Sequence, residues 1–119
     1  MADNKRRIGS GRERLAAAYM KKNGYEILKM NYSCRRGEVD IVAREGEYIV
    51  FTEVKYRRGA GQGMPAEAVD ARKRRRLCMA ALSFLNYIKA PVDTPVRFDV
   101  VSILGNEITV IKNAFDFEL

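Results

Sequence analysis

Asp40 in the run Gly37-Glu38-Val39-Asp40, with Glu53 and Lys55 in the run Phe51-Thr52-Glu53-Val54-Lys55, are the residues of this chain best suited to chemistry. Both runs are otherwise strand-like, flanked by Ile41, Val42, Val50 and Phe51. An ionised carboxylate set among such residues without a partner is costly, so its charge must be met by a cation, by a substrate or by a neighbour. The chain contains no histidine. That removes Ser-His and Cys-His nucleophiles and histidine-ligated metals. Acid–base or metal chemistry would then run on carboxylates, lysine, tyrosine or water. Cys34 and Cys78 are the only cysteines; their separation fits no zinc spacing, and a cytosolic address argues against a disulfide.

What has to position these groups is a hairpin. Gly46 suits the first position of a two-residue type II′ turn. With Gly46-Glu47 as the loop, Glu45 faces Tyr48, and counting inward sets Asp40 opposite Glu53 and Glu38 opposite Lys55. Opposed residues share a sheet face, so Asp40, Glu53 and Lys55 would converge beside Val42 and Phe51. A three-residue loop would shift the register by one and turn Asp40 away.

Around that hairpin the pattern predicts the order α-β-β-β-α-β-β. Ser10 would cap a helix over 11–23 whose apolar face is Leu15, Ala18 and Tyr19, ended by Asn23-Gly24. Strands are expected at 25–32, 38–44 and 48–56, with Arg35-Arg36-Gly37 as a turn. The glycine-rich stretch 57–64 reads as a mobile loop; it lacks the Lys-Ser/Thr of a phosphate-binding P-loop. A helix starting at Pro65 or Asp70 would run to about 89, with Leu77, Ala81, Phe84, Leu85 and Ile88 buried. A last hairpin pairs 96–104 with 107–112, followed by a short aromatic tail at Phe115 and Phe117. Residues 1–10 are expected to be a flexible basic N-terminus and 11–119 one domain, an α/β fold with a mixed central sheet flanked by helices.

A chain of 119 residues has room for one core. No apolar run approaches the ~20 residues that span a bilayer, and no secretory signal follows the basic start, so a cytoplasmic protein without membrane contact is expected. Lys and Arg outnumber Asp and Glu by 22 to 15, a net charge of +7, which attracts polyanions, nucleic acid above all. The densest cluster is Arg72-Lys73-Arg74-Arg75-Arg76. It follows Asp70 in the first turns of a helix, where the dipole disfavours cations. Such a run is either a solvated helix face or a contact for an anionic partner.

The αβββαβ order with an acid on the second strand and Glu-x-Lys on the third resembles the PD-(D/E)XK, or restriction-endonuclease-like, nuclease superfamily. More narrowly, the chain resembles the YraN-like family of small bacterial proteins, related in fold to Holliday junction resolvases. That match rests on Gly11, Glu13, Ala17, Gly24-Tyr25, Asn31-Tyr32, Gly37-Glu38-Val39-Asp40, Phe51-Thr52-Glu53-Val54-Lys55, Arg57, Lys73 and Arg97-Phe98-Asp99-Val100, nearly the whole length of the chain. The resemblance implies that Asp40, Glu53 and the carbonyl of Val54 hold Mg²⁺ or Mn²⁺. It implies that Lys55 orients water or neutralises the phosphate, and that Glu13 adds an accessory carboxylate. Arg35, Arg36, Arg57, Arg58, Arg72 and Lys73 would contact the nucleic-acid backbone, positioning it rather than reading its sequence.

The expected activity is metal-dependent hydrolysis of DNA phosphodiesters, on branched or junction DNA by analogy with the resolvases. A symmetric homodimer would present two such sites to two strands. The rival reading is a nucleic-acid-binding protein without catalysis. On it, Glu53–Lys55 and Glu38–Lys55 are ordinary ion pairs on a solvated strand. A third reading, a protein-interaction adaptor, would use Phe115 and Phe117.

Overall fold

The computed structural model describes residues 3–58 and 69–118, with side chains from Gly11 onward. Along the chain lie α1 (Asp3–Lys22), β1 (Glu26–Cys34), β2 (Gly37–Glu45), β3 (Tyr48–Arg57), α2 (Ala71–Tyr87), β4 (Val96–Leu104) and β5 (Glu107–Phe115). The strands form one sheet in the order β1-β2-β3-β4-β5. Neighbours run antiparallel except β3 and β4, which α2 connects and which are therefore free to run parallel. The protein is thus α/β with a mixed sheet, in the element order expected. The helices cover opposite faces. Leu77, Cys78, Ala80, Ala81 and Phe84 of α2 pack with Val42, Phe51 and Phe98, while Ala16, Ala17 and Met20 of α1 pack with Ala43, Val50 and Val101. No described helix is long and apolar enough to cross a membrane.

The decisive turn is the one the register needed. Gly46 has φ +59°, Glu47 stays out of the left-handed region, and Glu45 pairs with Tyr48. Left-handed φ at the first loop residue alone is the type II′ requirement, which glycine meets without steric cost. Gly105 repeats the device between β4 and β5, where Leu104 pairs with Glu107.

The helices depart from expectation in instructive ways. α1 begins at Asp3, so Ser10 lies inside it rather than capping it. Its buried stripe is Ala16, Ala17 and Met20, whereas Leu15 is exposed and Tyr19 half-buried. Two adjacent alanines let the backbone approach the sheet closely, and that approach decides the rotation more than the hydrophobicity of Leu15 does. α2 starts after Asp70, whose carboxylate accepts from the Lys73 N–H at 2.9 Å as a helix cap. It ends at Tyr87, so Ile88 is a cap residue and 40% exposed rather than core, and Leu85 is half-buried. β1 and β5 run past their expected ends, to Cys34 and Phe115. Phe115 stacks on Phe98 with ring centroids 4.9 Å apart, so it closes the core edge instead of standing free. The glycine run at 59–63, the rest of the loop expected to end at 64, and a helix start at Pro65 lie outside the described residues.

Candidate active site

The site is built where the sheet forks. β2 and β3 pair from Glu45↔Tyr48 to Ile41↔Thr52 and no further. Beyond that rung β2 continues with β1 alone, to Cys34↔Gly37, and β3 with β4 alone, to Arg57↔Leu104. Asp40 and Glu53 are the first residues past the last rung on their two strands. In place of a main-chain rung, Asp40 Oδ2 accepts the Val54 N–H at 2.8 Å. A strand residue presents its carbonyl on the same edge as its N–H, so the Val54 carbonyl faces the fork as well.

The fork also marks a change of face. Val39 packs in the α2 cluster and Ile41 in the α1 cluster, although residues two apart on a regular strand share a face. On β1, Tyr32 packs towards α2 and Met30 towards α1, with Asn31 between them at φ +52°. This corrects the strict-alternation picture. Asp40 does not simply lie beside Val42 and Phe51 but sits at the crossover, its carboxylate spanning to the main chain of β3. Glu38 does not face Lys55 either; it is exposed, with Arg76 Nη2 at 3.9 Å.

Both helices reach this point. Glu13 belongs to the same stripe of α1 as Ala16, Ala17 and Met20, at helical spacing, so the rotation that buries the alanines also turns Glu13 towards the sheet. There it lies beside Asn31 and Asp40 and within reach of the charges of Glu53 and Glu38. From the other face, Lys73 Nζ meets Glu53 Oε1 at 2.9 Å, and Lys55 Nζ approaches the same oxygen at 3.4 Å. α2 is held in place by a close approach to β2. A Cβ on Gly37 would come within 1.9 Å of the Arg76 carbonyl oxygen, a main-chain clash that only glycine avoids.

The electrostatics show a crowd of carboxyls. Burial, then the charge of Glu53, pushes Asp40 up to about 7, despite the opposing hydrogen bond from Val54. Burial raises Glu13 too, with Glu53 and Glu38 adding to it. For Lys73, burial pulls downward, but the hydrogen bond and charge of Glu53, together with Asp40, prevail and raise it. Glu53 is 5% exposed and thus nearly sealed from water.

Among the described residues no three carboxylate or thiolate ligands are arranged to hold a metal by themselves. The donors available at the fork are two carboxylates and a main-chain carbonyl, all hard oxygens. Such a set fits Mg²⁺ or Mn²⁺, which take few protein ligands and keep water in the other positions. Crowding of like charges at Asp40 is the electrostatic condition that a cation would relieve.

The cationic residues divide. Lys73 is in the site. Arg35 and Arg36 are exposed at the β1–β2 turn, where they border a shallow groove with Cys34, Met79, Leu82 and Ser83. Arg57 is half-buried at the end of β3, Arg58 follows it in the open, and Arg72 is exposed one residue before Lys73. Arg74 turns away to Glu118, Nε to Oε1 at 2.7 Å. Asn31 enters the sequence reading only through the resemblance, with no role of its own; its left-handed backbone sits where β1 changes face, opposite the same change at Asp40. Reasoning from the residues had not shown that Lys73 meets Glu53 directly; the cost of a cation in the first turn of a helix was the available signal.

Comparison with known proteins agrees with this geometry in extent. The profile described as "Uncharacterised protein family UPF0102" matches residues 12–103, which takes in Glu13, the fork, Lys73 and β4. A UPF0102 protein of Lachnoclostridium phytofermentans is 50% identical over 113 residues, 95% of this chain and 96% of the relative. One from Caldicellulosiruptor saccharolyticus is 46% identical over 118 residues, covering 94% and 99% of the two chains. One from Ectopseudomonas mendocina is 43% identical over 112 residues, covering 92% and 94%. With a matching profile and relatives spanning almost its whole length, the chain belongs to the UPF0102 family.

Proposed function

We propose that this protein is a metal-dependent nuclease that hydrolyses phosphodiester bonds of DNA, with the restriction-endonuclease-like arrangement that its element order resembles. The observation that carries this reading is the apposition of Asp40 and Glu53 across the fork, beside Lys55 and the main chain of Val54, whose N–H holds the Asp40 carboxylate. Asp40, Glu53 and the Val54 carbonyl would hold Mg²⁺ or Mn²⁺. When bound, such an ion lowers the pKa of a water and stabilises charge on the phosphodiester.

The chain's own groups have distinct tasks. The Val54 N–H fixes the Asp40 carboxylate, so its free oxygen has one direction to face. Lys55 keeps an ammonium beside Glu53 on the same strand face, where it can neutralise charge building on phosphate. Glu13 is an accessory carboxyl at the crowded end of the site, its pKa raised first by burial. Arg35, Arg36, Arg57, Arg58 and Arg72 would hold the flanking backbone by charge, without reading sequence. Branched or junction DNA is the substrate class that the likeness to resolvases suggests, and a homodimer would present two sites to it.

One observation favours the rival reading, a binding protein without catalysis: the two lysines on Glu53 satisfy that carboxylate from within the chain. Cleavage of labelled duplex, single-stranded and four-way-junction DNA in Mg²⁺ and Mn²⁺ separates the two. Wild-type protein should cut, and Asp40→Ala and Glu53→Ala should not. DNA binding without cutting in either metal selects the rival. Cutting that persists in both variants means that the chemistry is not at the fork.

A further inference from the structure

We propose that Lys73 is an internal counter-ion that occupies Glu53 until a divalent cation arrives and then turns outward to a phosphate of the nucleic acid, so that cation and nucleic acid bind better together than apart. The proposal rests on the reading above and assigns a role that Lys55 does not share.

The two lysines differ in how they are held. Lys73 is the closer to Glu53 Oε1, at 2.9 Å against 3.4 Å. Lys55 extends from β3 itself, with its side chain 22% exposed, on the same strand face as Glu53. Lys73 comes from a separate element, and its side chain is 37% exposed, so the stem reaches from a nearly sealed carboxylate to solvent. Its backbone is pinned at both ends of the first turns. Its N–H is given to the Asp70 cap, and one turn on the Arg76 carbonyl sits against Gly37. The helix therefore stays where it is, and only the flexible four-carbon side chain has room to move.

What keeps Lys73 inward is Glu53. The first turn of α2 contains no acidic residue, and a cation there opposes the helix dipole. A divalent ion on Glu53 and Asp40 would take up the charge that holds the ammonium and would repel it. The displaced ammonium, next to exposed Arg72, then needs an anion, and a substrate phosphate passing the fork supplies one. An ion that must displace a lysine binds less tightly than its donors allow. A nucleic acid that receives the lysine returns that loss. By linkage, each ligand then raises the affinity of the other by one common factor.

Calorimetric titration of Ca²⁺ and Mg²⁺ into the full chain, with and without a short DNA duplex, tests this on wild type, Lys73→Met and Lys73→Gln. In the absence of DNA both variants should bind the ion about tenfold more tightly than wild type, the scale of effect that a neighbouring charge has on a carboxylate. The duplex should raise ion affinity clearly in wild type and little in the variants. Ion binding that is unchanged or weaker in both variants makes Lys73 a fixed prop for Glu53 and overturns the proposal while leaving the nuclease reading intact. Absence of ion binding from wild type and variants alike overturns both. Circular dichroism establishes that the variants are folded, and the glutamine, which keeps a hydrogen bond without the charge, carries the test should the methionine fail to fold.

Discussion

Two charged clusters are buried in this sheet, built from the same kinds of residue, and they behave in opposite ways. Near the β2–β3 turn, Asp99 accepts from the Tyr25 hydroxyl at 2.8 Å, from Arg97 Nε and Nη2 at 2.9 Å each and from the Asn113 N–H at 3.0 Å. Arg97 also donates to Glu45 at 2.7 Å, and Lys112 closes the set on Glu45. Two acids meet two bases, and every shift holds a group in its ordinary state. Hydrogen bonds that Arg97 donates to Asp99 and Glu45 outweigh burial and raise it, while those that Glu45 accepts from Lys112 and Arg97 lower it against the effect of burial. At the fork three acids meet two bases, and burial with mutual repulsion drives Asp40 and Glu13 towards losing their charge. The first cluster is complete within the chain. The second is short of positive charge, and that deficit is the physical basis of the cation and function proposed for it.

The comparison can be broken most forcefully at the complete cluster. Asp99→Ala would leave Arg97 buried without its main partner, and urea unfolding should show a loss of about 3–5 kcal/mol. Ion binding by the residual folded protein should be unchanged. Gly37→Ala acts on the other arm. It drives a methyl into the Arg76 carbonyl, should cost about 1–3 kcal/mol as an overpacked contact, and should tighten ion binding in the absence of nucleic acid because α2 carries Lys73 away from Glu53.

A pH series separates the clusters by sign. The folded pKa of Asp40, about 7, lies above its ordinary value of 3.8. Across that window the folded state keeps a proton that the unfolded chain has released. Its contribution to stability is therefore whole below about pH 4, falls as pH rises and is gone above about pH 7. Glu45 is lowered, so its contribution runs the other way and is lost on acidification. Unfolding of wild type minus that of Asp40→Asn, point by point, should isolate the falling limb. The smallest expected effect lies between the clusters, at Thr52, whose buried hydroxyl has no hydrogen-bond partner among the described residues. Thr52→Val should add about 1 kcal/mol by removing an unsatisfied group, again read by urea unfolding.

How much of this was legible in the sequence follows from the range of the forces involved. The register from Glu45↔Tyr48 to Ile41↔Thr52, which brings Asp40 and Glu53 to the fork, could be read because one glycine at one turn sets it, and a single-residue slip would turn out a whole apolar face. The element order could be read because periodicity is local. The fork could not, because it lies where β1 at Asn31 and β2 at Asp40 both change face, and no spacing announces that. The rotation of α1 was misjudged because Leu15 outweighs Ala16 and Ala17 in hydrophobicity but not in closeness of packing. The Tyr25–Asp99–Arg97–Glu45 network joins residues far apart in the chain. Arg97 and Asp99, two apart on β4 and so on one face, were its only local trace.

The measurement that tests the central claim most directly is urea unfolding at pH 8 of wild type and Asp40→Asn, each with and without Mg²⁺. The account predicts that without metal Asp40→Asn is the more stable of the two, since it removes a crowded buried charge, and that Mg²⁺ stabilises wild type alone. An Asp40→Asn protein less stable than wild type, with Mg²⁺ affecting neither, would mean that the fork is as complete as the Arg97 cluster, and the proposed metal site would be withdrawn.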